Sequence, residues 1–319
     1  MSYSCVSHSA DLDGVASAIL ANFYLKTLHH GAHVNVVFTS VNGDAENAII
    51  SAIQDSSVIW ITDLSFSNEN FLSDLFKFHP DKAIHVFDHH ASSQQAFQNV
   101  SSCNAVLDIS GNKCATDLVY DYIKTRIGCI PAEYCDLVRY THSIDLWIKD
   151  EPQGERLTEV IQNLGAKETF NLLTQDISKI YLENFTPAMQ LCNKISDRNL
   201  SKSSSLAFNS VLEEKTDTLG VVKAAFCYGC ASEVGSALVQ GEKAWVGLID
   251  MSRQELSFRT NNETVNLTGI GANDIAKFLG GGGHPNAAGS KCTKEILLGG
   301  PAILKQEMVK IISKIKSKT

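Results

Sequence analysis

Four short segments, widely spaced along the chain, gather acids and histidines: His8-Ser9-Ala10-Asp11-Leu12-Asp13-Gly14, Thr62-Asp63, Asp88-His89-His90 and His142-Ser143-Ile144-Asp145. The first three directly follow extended apolar runs, at 3–9, Val58–Thr62 and 83–87. The middle run, Val-Ile-Trp-Ile-Thr, is continuously β-branched and aromatic, as a strand buried on both faces requires. Helical periodicity at 14–30 and at Phe71–Phe78 separates these runs, and further strands are expected at Val34–Thr39 and Ala105–Leu107. Strands alternating with helices predict βαβ units and a parallel sheet. In such a sheet the carboxyl ends of all strands share one edge, where ligands bind. Taken singly, each acid has an ordinary explanation; Asp13, for one, could cap the helix that follows it. Acids or histidines at three consecutive strand ends instead predict a convergent site.

A chain of 319 residues is long enough for two domains. The expected organisation is a parallel-sheet α/β domain over 1–190, a linker over 191–220, and a smaller α+β domain over 221–319, with the stretch at about 186–205 read as a connecting helix plus linker. The linker expectation rests on the polar, aperiodic stretch from Asp197 to Ser205. Beyond it, strands are predicted at 221–227, 244–251 and 255–260, the last two as a hairpin, with helices at 231–240, 269–279 and 301–315.

The 27 Lys and Arg against 35 Asp and Glu leave a formal charge of −8. Such a surface has no electrostatic footprint for long duplex nucleic acid. No apolar run approaches the roughly 18 residues of a membrane span, so no membrane partner is expected. The start of the chain lacks the basic and apolar regions of a signal peptide. Nine cysteines, odd in number and without framework spacing, read as reduced thiols, so a cytoplasmic location is expected. Cys227-Tyr228-Gly229-Cys230 is the one C-x-x-C, with no second pair to complete a zinc site. The basic residues of the last helix, Lys305, Lys310, Lys314, Lys316 and Lys318, read as a solvated face. Nothing in the sequence indicates an oligomeric state.

Carboxylates and imidazoles together, without thiolates, suit a pair of divalent cations: manganese, with magnesium or cobalt as substitutes. Two such ions with a bridging carboxylate hold a phosphate and activate a water, which implies phosphoester or phosphoanhydride hydrolysis. An acidic protein can bind an anionic substrate this way because the ions dominate the local field.

The four segments resemble, in order, the motifs of the DHH phosphoesterases, with Asp88-His89-His90 as the eponymous triplet. The segment Cys114-Ala115-Thr116-Asp117-Leu118-Val119 also resembles the stretch that follows in that family. The resemblance implies that His8, Asp11 and Asp63 hold one metal. Asp13, Asp63, His89 and Asp145 would hold the other, with Asp63 bridging. Asp88 would orient an imidazole, and His90 would face the substrate phosphate. The chain departs from the family in placing two residues, Ser9 and Ala10, between His8 and Asp11, where other members have one or three.

A second signature lies near the C-terminus. Gly280-Gly281-Gly282-Gly283-His284-Pro285-Asn286-Ala287-Ala288-Gly289 lets backbone approach a ligand closely and turn its N–H groups inward. It resembles the signature of the DHHA1 domain, and Ser257-Phe258-Arg259-Thr260 resembles that domain's strand with a phosphate-binding Arg. Substrate binding is therefore expected from Arg259, Gly281, Gly282, Gly283 and His284, in a cleft between the domains. The expected function is metal-dependent hydrolysis of short single-stranded oligonucleotides or of linear or cyclic dinucleotides to mononucleotides. Three alternatives share parts of this pattern. They are a phosphatase of 3′,5′-bisphosphorylated nucleotides, a pyrophosphatase or exopolyphosphatase, and a non-catalytic nucleotide- or RNA-binding module. The glycine string counts against the second, and the full acid and histidine set against the third.

Overall fold

The computed structural model describes residues 1–40, 44–66, 68–98, 100, 104–216 and 220–317. Lys318 lies outside them. The chain divides into two compact units, Met1–Asn193 and Lys194–Thr319.

In the first unit, β1 (Tyr3–His8), α1 (Leu12–Leu28), β2 (Val34–Thr39), α2 (Asp44–Asp55), β3 (Val58–Thr62), α3 (Phe71–Phe78), β4 (Ala83–Asp88), α4 (Gln94–Gln98) and β5 (Ala105–Leu107) follow in order, α2 and α4 in addition to the expected elements. The strands form one sheet in the order β2-β1-β3-β4-β5, every pair parallel. Helices α5 (Ala115–Ile127), α6 (Ala132–Asp145), α7 (Pro152–Leu164) and α8 (Ala166–Gln175) follow. Two cores flank the sheet. One gathers α1, Trp60, Phe87 and residues of α5 to α8 on one face; the other packs Val6, Ile59, Ile61 and Val86 against α2 and α3. Helix α1 is apolar around most of its circumference, as a helix covered on all sides should be. Gly14 lets it start against β1, because a Cβ there would fall 2.2 Å from the His8 carbonyl oxygen.

Helix α9 (Pro187–Ser210) runs through the stretch expected to be a linker. Leu200, Ser203 and Ala207 recur at helical spacing and pack in the second unit, Ser203 and Ala207 without exposure. The Ser203 hydroxyl donates to the Gly229 carbonyl at 2.8 Å. A serine that is buried and hydrogen-bonded occupies a core position without contributing to apolar periodicity, so the stretch carries the pattern of a loop while folding as a helix.

The second unit continues with β6 (Leu212–Thr216), β7 (Gly220–Cys227), α10 (Ala231–Val239), β8 (Ala244–Asp250), β9 (Glu255–Arg259), α11 (Asn262–Thr268), α12 (Ala272–Phe278), β10 (Gly282–His284), β11 (Ala287–Lys291) and α13 (Lys294–Lys316). Its mixed sheet has the order β10-β11-β9-β8-β7-β6, with β7 and β8 parallel and the remaining pairs antiparallel. Strand β6 also falls inside the expected linker. Helix α13 breaks at Gly300, whose positive φ of 63° precedes Pro301, so its regular part begins at the position predicted from the sequence.

Candidate metal and phosphate site

The carboxyl edge of the first sheet collects the predicted residues. His8 ends β1, Asp63 follows β3 and Asp88 ends β4. Parallel register aligns Ser7 with Thr62 and Thr62 with Phe87, so the next residues emerge side by side. The Asp63 N–H donates to the Phe87 carbonyl at 2.9 Å, and Asp63 adopts a left-handed φ of 56°. That conformation costs a non-glycine residue about 1–3 kcal/mol and turns the carboxylate into the cluster.

Two groups of potential ligands share Asp63. His8 Nδ1 lies 2.8 Å from Asp11 and 3.5 Å from Asp63. His89 Nε2 lies 3.7, 3.5 and 3.6 Å from Asp13, Asp63 and Asp145 respectively. Both expected sets thus converge, including His8 with its unusual spacing and Asp145 from the end of α6. Asp11, not Asp13, caps α1: its Oδ1 accepts the Gly14 N–H at 3.1 Å, leaving the other oxygen toward His8. Asp13 is instead held by the start of α5, whose Ala115 and Thr116 N–H groups donate to its two oxygens at 2.8 and 2.7 Å. A helix N-terminus is a natural seat for a carboxylate.

Asp88 is fully buried. Its Oδ1 accepts the N–H groups of His89 and His90 at 2.8 and 3.3 Å and lies 2.7 Å from His90 Nδ1. The imidazole it orients is therefore that of His90, which keeps Nε2 for a ligand.

The electrostatics are those of a cation site. Burial pushes the Asp63 carboxyl well above the usual carboxylate range, and the charges of Asp13 and Asp11 add to it. Burial and Asp13 do the same to Asp145. Oδ2 of each is buried without a hydrogen-bond partner among the described residues. Burial opposes protonation of His8, but Asp11 and Asp63 outweigh it and raise the imidazole to about 10. In this cluster a proton on the imidazole plays the part of a cation, and a divalent ion would displace it. The donor set of carboxylates and imidazoles thus fits the ions that the sequence motifs imply.

Two features of the site go beyond the sequence motifs. Cys114 forms a third potential ligand group with Asp13 and Asp145. Burial and the charge of Asp13 hold its thiol far above its ordinary range, so it lines the site as a neutral group. Asp117 lies 2.8 Å from His142 Nδ1, linking α5 to α6 one helical turn before Asp145. The signal for both is the segment after β5, a fourth strand end.

In the second unit, the glycine string runs from a turn at Gly280 into a hairpin, with Gly282–His284 as β10 and Ala287–Gly289 at the start of β11. Cross-strand pairing aligns His284 with Ala287 and Ala287 with Arg259, one row across three strands. Gly281 and Gly283 are required by packing: a Cβ would lie 2.0 Å from the Gly289 carbonyl oxygen or 2.7 Å from that of Ala287. Gly282 meets nothing within 4 Å and is exposed, so its backbone is open to a ligand. Arg259 is largely buried, donating to the Ser257 hydroxyl (3.0 Å), the Phe258 carbonyl (2.8 Å) and the Ser232 hydroxyl (2.6 Å). Burial lowers its guanidinium to about 10, still charged at neutral pH. Lys305 and Lys310 of α13 pair with Glu214 and Glu307. Among the described residues no helix is long and apolar enough to cross a membrane.

No family model matches the chain. It is 26% identical to oligoribonuclease NrnB of Bacillus subtilis, over 92% of this chain and 74% of that protein. Its fold is similar to a pGpG-specific phosphodiesterase, PggH, of Vibrio cholerae (TM-score 0.59, 13% identity, 98% and 99% of the two chains). It is also similar to RecJ of Thermus thermophilus in complex with Mn2+ (TM-score 0.64, 13% identity), covering 99% of this chain and 52% of that one. A DHH-domain member of the s1p family of ribosomal proteins aligns with a TM-score of 0.70 at 12% identity, over 98% of this chain and 86% of that one.

Proposed function

We propose that the chain is a phosphodiester hydrolase of the DHH/DHHA1 type, which cleaves short single-stranded oligonucleotides or dinucleotides to mononucleotides with two divalent cations, manganese foremost. The observation that carries this reading is the sharing of Asp63 by two ligand groups, one with His8 and Asp11, the other with His89 and His90, while His89 Nε2 also lies 3.7 and 3.6 Å from Asp13 and Asp145. The similarity to an oligoribonuclease and to a dinucleotide phosphodiesterase supports the substrate class.

The residues divide the work. His8, Asp11, Asp13, Asp63, His89 and Asp145 hold the ions, and Asp13 keeps its position because two amides of α5 bind it. When bound, the ions supply charge that neutralises the phosphate and lowers the pKa of a water. Asp88 orients His90, whose second ring nitrogen faces the phosphate as a hydrogen-bond donor. In the second unit, Arg259, His284 and the open backbone at Gly282 are the groups that bind substrate.

The deciding experiment incubates the protein and manganese with a substrate panel. It comprises linear and cyclic dinucleotides, a pentanucleotide, a 3′,5′-bisphosphorylated nucleoside, cyclic AMP and pyrophosphate. Mononucleotide release from the linear dinucleotide and the pentanucleotide is expected, and is abolished by chelator. Preference for pyrophosphate or the bisphosphorylated nucleoside would overturn the reading.

A further inference from the structure

Tyr228, in the turn between β7 and α10, is 64% exposed. Its backbone, by contrast, is pinned. The Tyr228 N–H donates to the Ser203 hydroxyl at 3.1 Å, and that hydroxyl donates to the Gly229 carbonyl at 2.8 Å. The Gly229 N–H donates to Asp250 Oδ1 at 2.9 Å, which also accepts the N–H and hydroxyl of Ser252 at 2.9 and 2.7 Å. The Met251 N–H closes the turn on the Cys227 carbonyl at 2.9 Å. Gly229 and Cys230 both take left-handed backbone, φ 68° and 51°. Cys230, a non-glycine residue in left-handed backbone, is the strained position, and the bonds around it hold the turn in one conformation. The Cys227 thiol does not account for it: burial pushes it up to about 12, the opposite of a reactive thiol.

The same turn is joined to Arg259. Ser232, in the first turn of α10, accepts the 2.6 Å bond from the guanidinium. Gly235 admits the arginine stem, since a Cβ there would lie 2.6 Å from Arg259 Cγ. Tyr228 is four residues from Ser232, a chain span of at most about 14 Å. One rigid strand-to-helix turn therefore presents a flat aromatic ring and braces a guanidinium suited to phosphate. A nucleotide offers the matching pair, a planar base and a phosphate.

We propose that Tyr228 is a base-stacking platform for the nucleoside whose phosphate Arg259 binds. The inference rests on the reading of the chain as a nucleotide phosphodiesterase. Every base has a π-face, so stacking here tolerates any base and favours nucleotides over aliphatic phosphodiesters.

The test uses the full chain, Tyr228→Phe and Tyr228→Ala. Steady-state kinetics are measured with manganese on a dinucleotide and on its analogue lacking one base. Affinities for both ligands are measured in chelator, without turnover. Tyr228→Ala should raise KM and Kd for the dinucleotide about tenfold with kcat within twofold. Tyr228→Phe should match the parent, and the parent and Tyr228→Ala should bind the base-deficient analogue equally. Equal affinity of parent and Tyr228→Ala for the dinucleotide, or an equal loss on both ligands, would overturn the proposal. A parent that binds the dinucleotide through Tyr228 but never hydrolyses it would instead overturn the catalytic reading and leave the platform standing.

Discussion

Asp88 Oδ1 lies 2.7 Å from His90 Nδ1 while accepting the N–H groups of His89 and His90, so one buried oxygen sets both the backbone and the imidazole of the triplet. Asp88→Asn preserves an acceptor for the amides but removes the charge that holds the imidazole. Activity should fall roughly 10- to 100-fold, with metal content by elemental analysis close to that of the parent. Loss of metal on this substitution would mean that Asp88 ligates rather than orients.

Asp63 is the shared ligand, and its substitution should be the most damaging. Asp63→Asn is expected to lower the rate by more than about a hundredfold and to deplete both ions. In chelator the effect on stability should reverse. Without cations the Asp63 charge is crowded by Asp13 and Asp11 and buried, so the amide should raise the thermal midpoint. An active, metal-loaded Asp63→Asn protein would refute the bridging role.

The glycine string offers a paired test. Gly281→Ala drives a Cβ into the Gly289 carbonyl and should destabilise the second unit by about 2 kcal/mol or more. Gly282→Ala meets open space and should leave stability within about 0.5 kcal/mol while lowering kcat/KM for dinucleotides. Unchanged kinetics for Gly282→Ala would show that ligand does not approach this backbone.

His284→Ala and Arg259→Gln lie in the other unit, so both should retain metal and lose dinucleotide turnover. Substrate length follows from the same division. Rates on strands of two, five and twenty nucleotides should show no gain beyond a few nucleotides, since a chain with a formal charge of −8 offers longer strands little electrostatic attraction. A rate rising steadily with length would indicate a processive exonuclease.

His85, on β4, predicts a pH effect on stability away from the cluster. Burial, with the charge of Arg126 adding to it, lowers its imidazole from 6.5 to about 4. Its ring packs against those of Trp60 and Tyr122, with centroids at 5.1 and 5.4 Å. Between pH 6.5 and 4 the unfolded chain binds a proton here that the folded chain does not. The contribution is complete above pH 6.5 and is lost as pH falls toward 4. Denaturant unfolding at pH 7 and 4.5 should show the parent losing roughly 2 kcal/mol more than His85→Phe; parallel losses would rule the effect out.

In the first unit, which strands exist, where they end and which groups stand at those ends are legible in the linear chain, whereas β6, β10 and β11 of the second unit are not. Period and residue type are local properties, and a parallel sheet converts strand ends into a shared edge without further information. What those groups touch depends on the assembled fold. Asp13 meets the amides of Ala115 and Thr116 across 102 and 103 residues, a pairing that depends on where α5 begins relative to α1. Cys114 enters the cluster for the same reason. The helix through 197–205 is hidden from periodicity because Ser203 is buried through hydrogen bonds rather than apolar contact. Gly282 and Gly283 have the composition of a loop, yet their extended form is imposed by pairing with β11, since a residue without a side chain carries no period of its own.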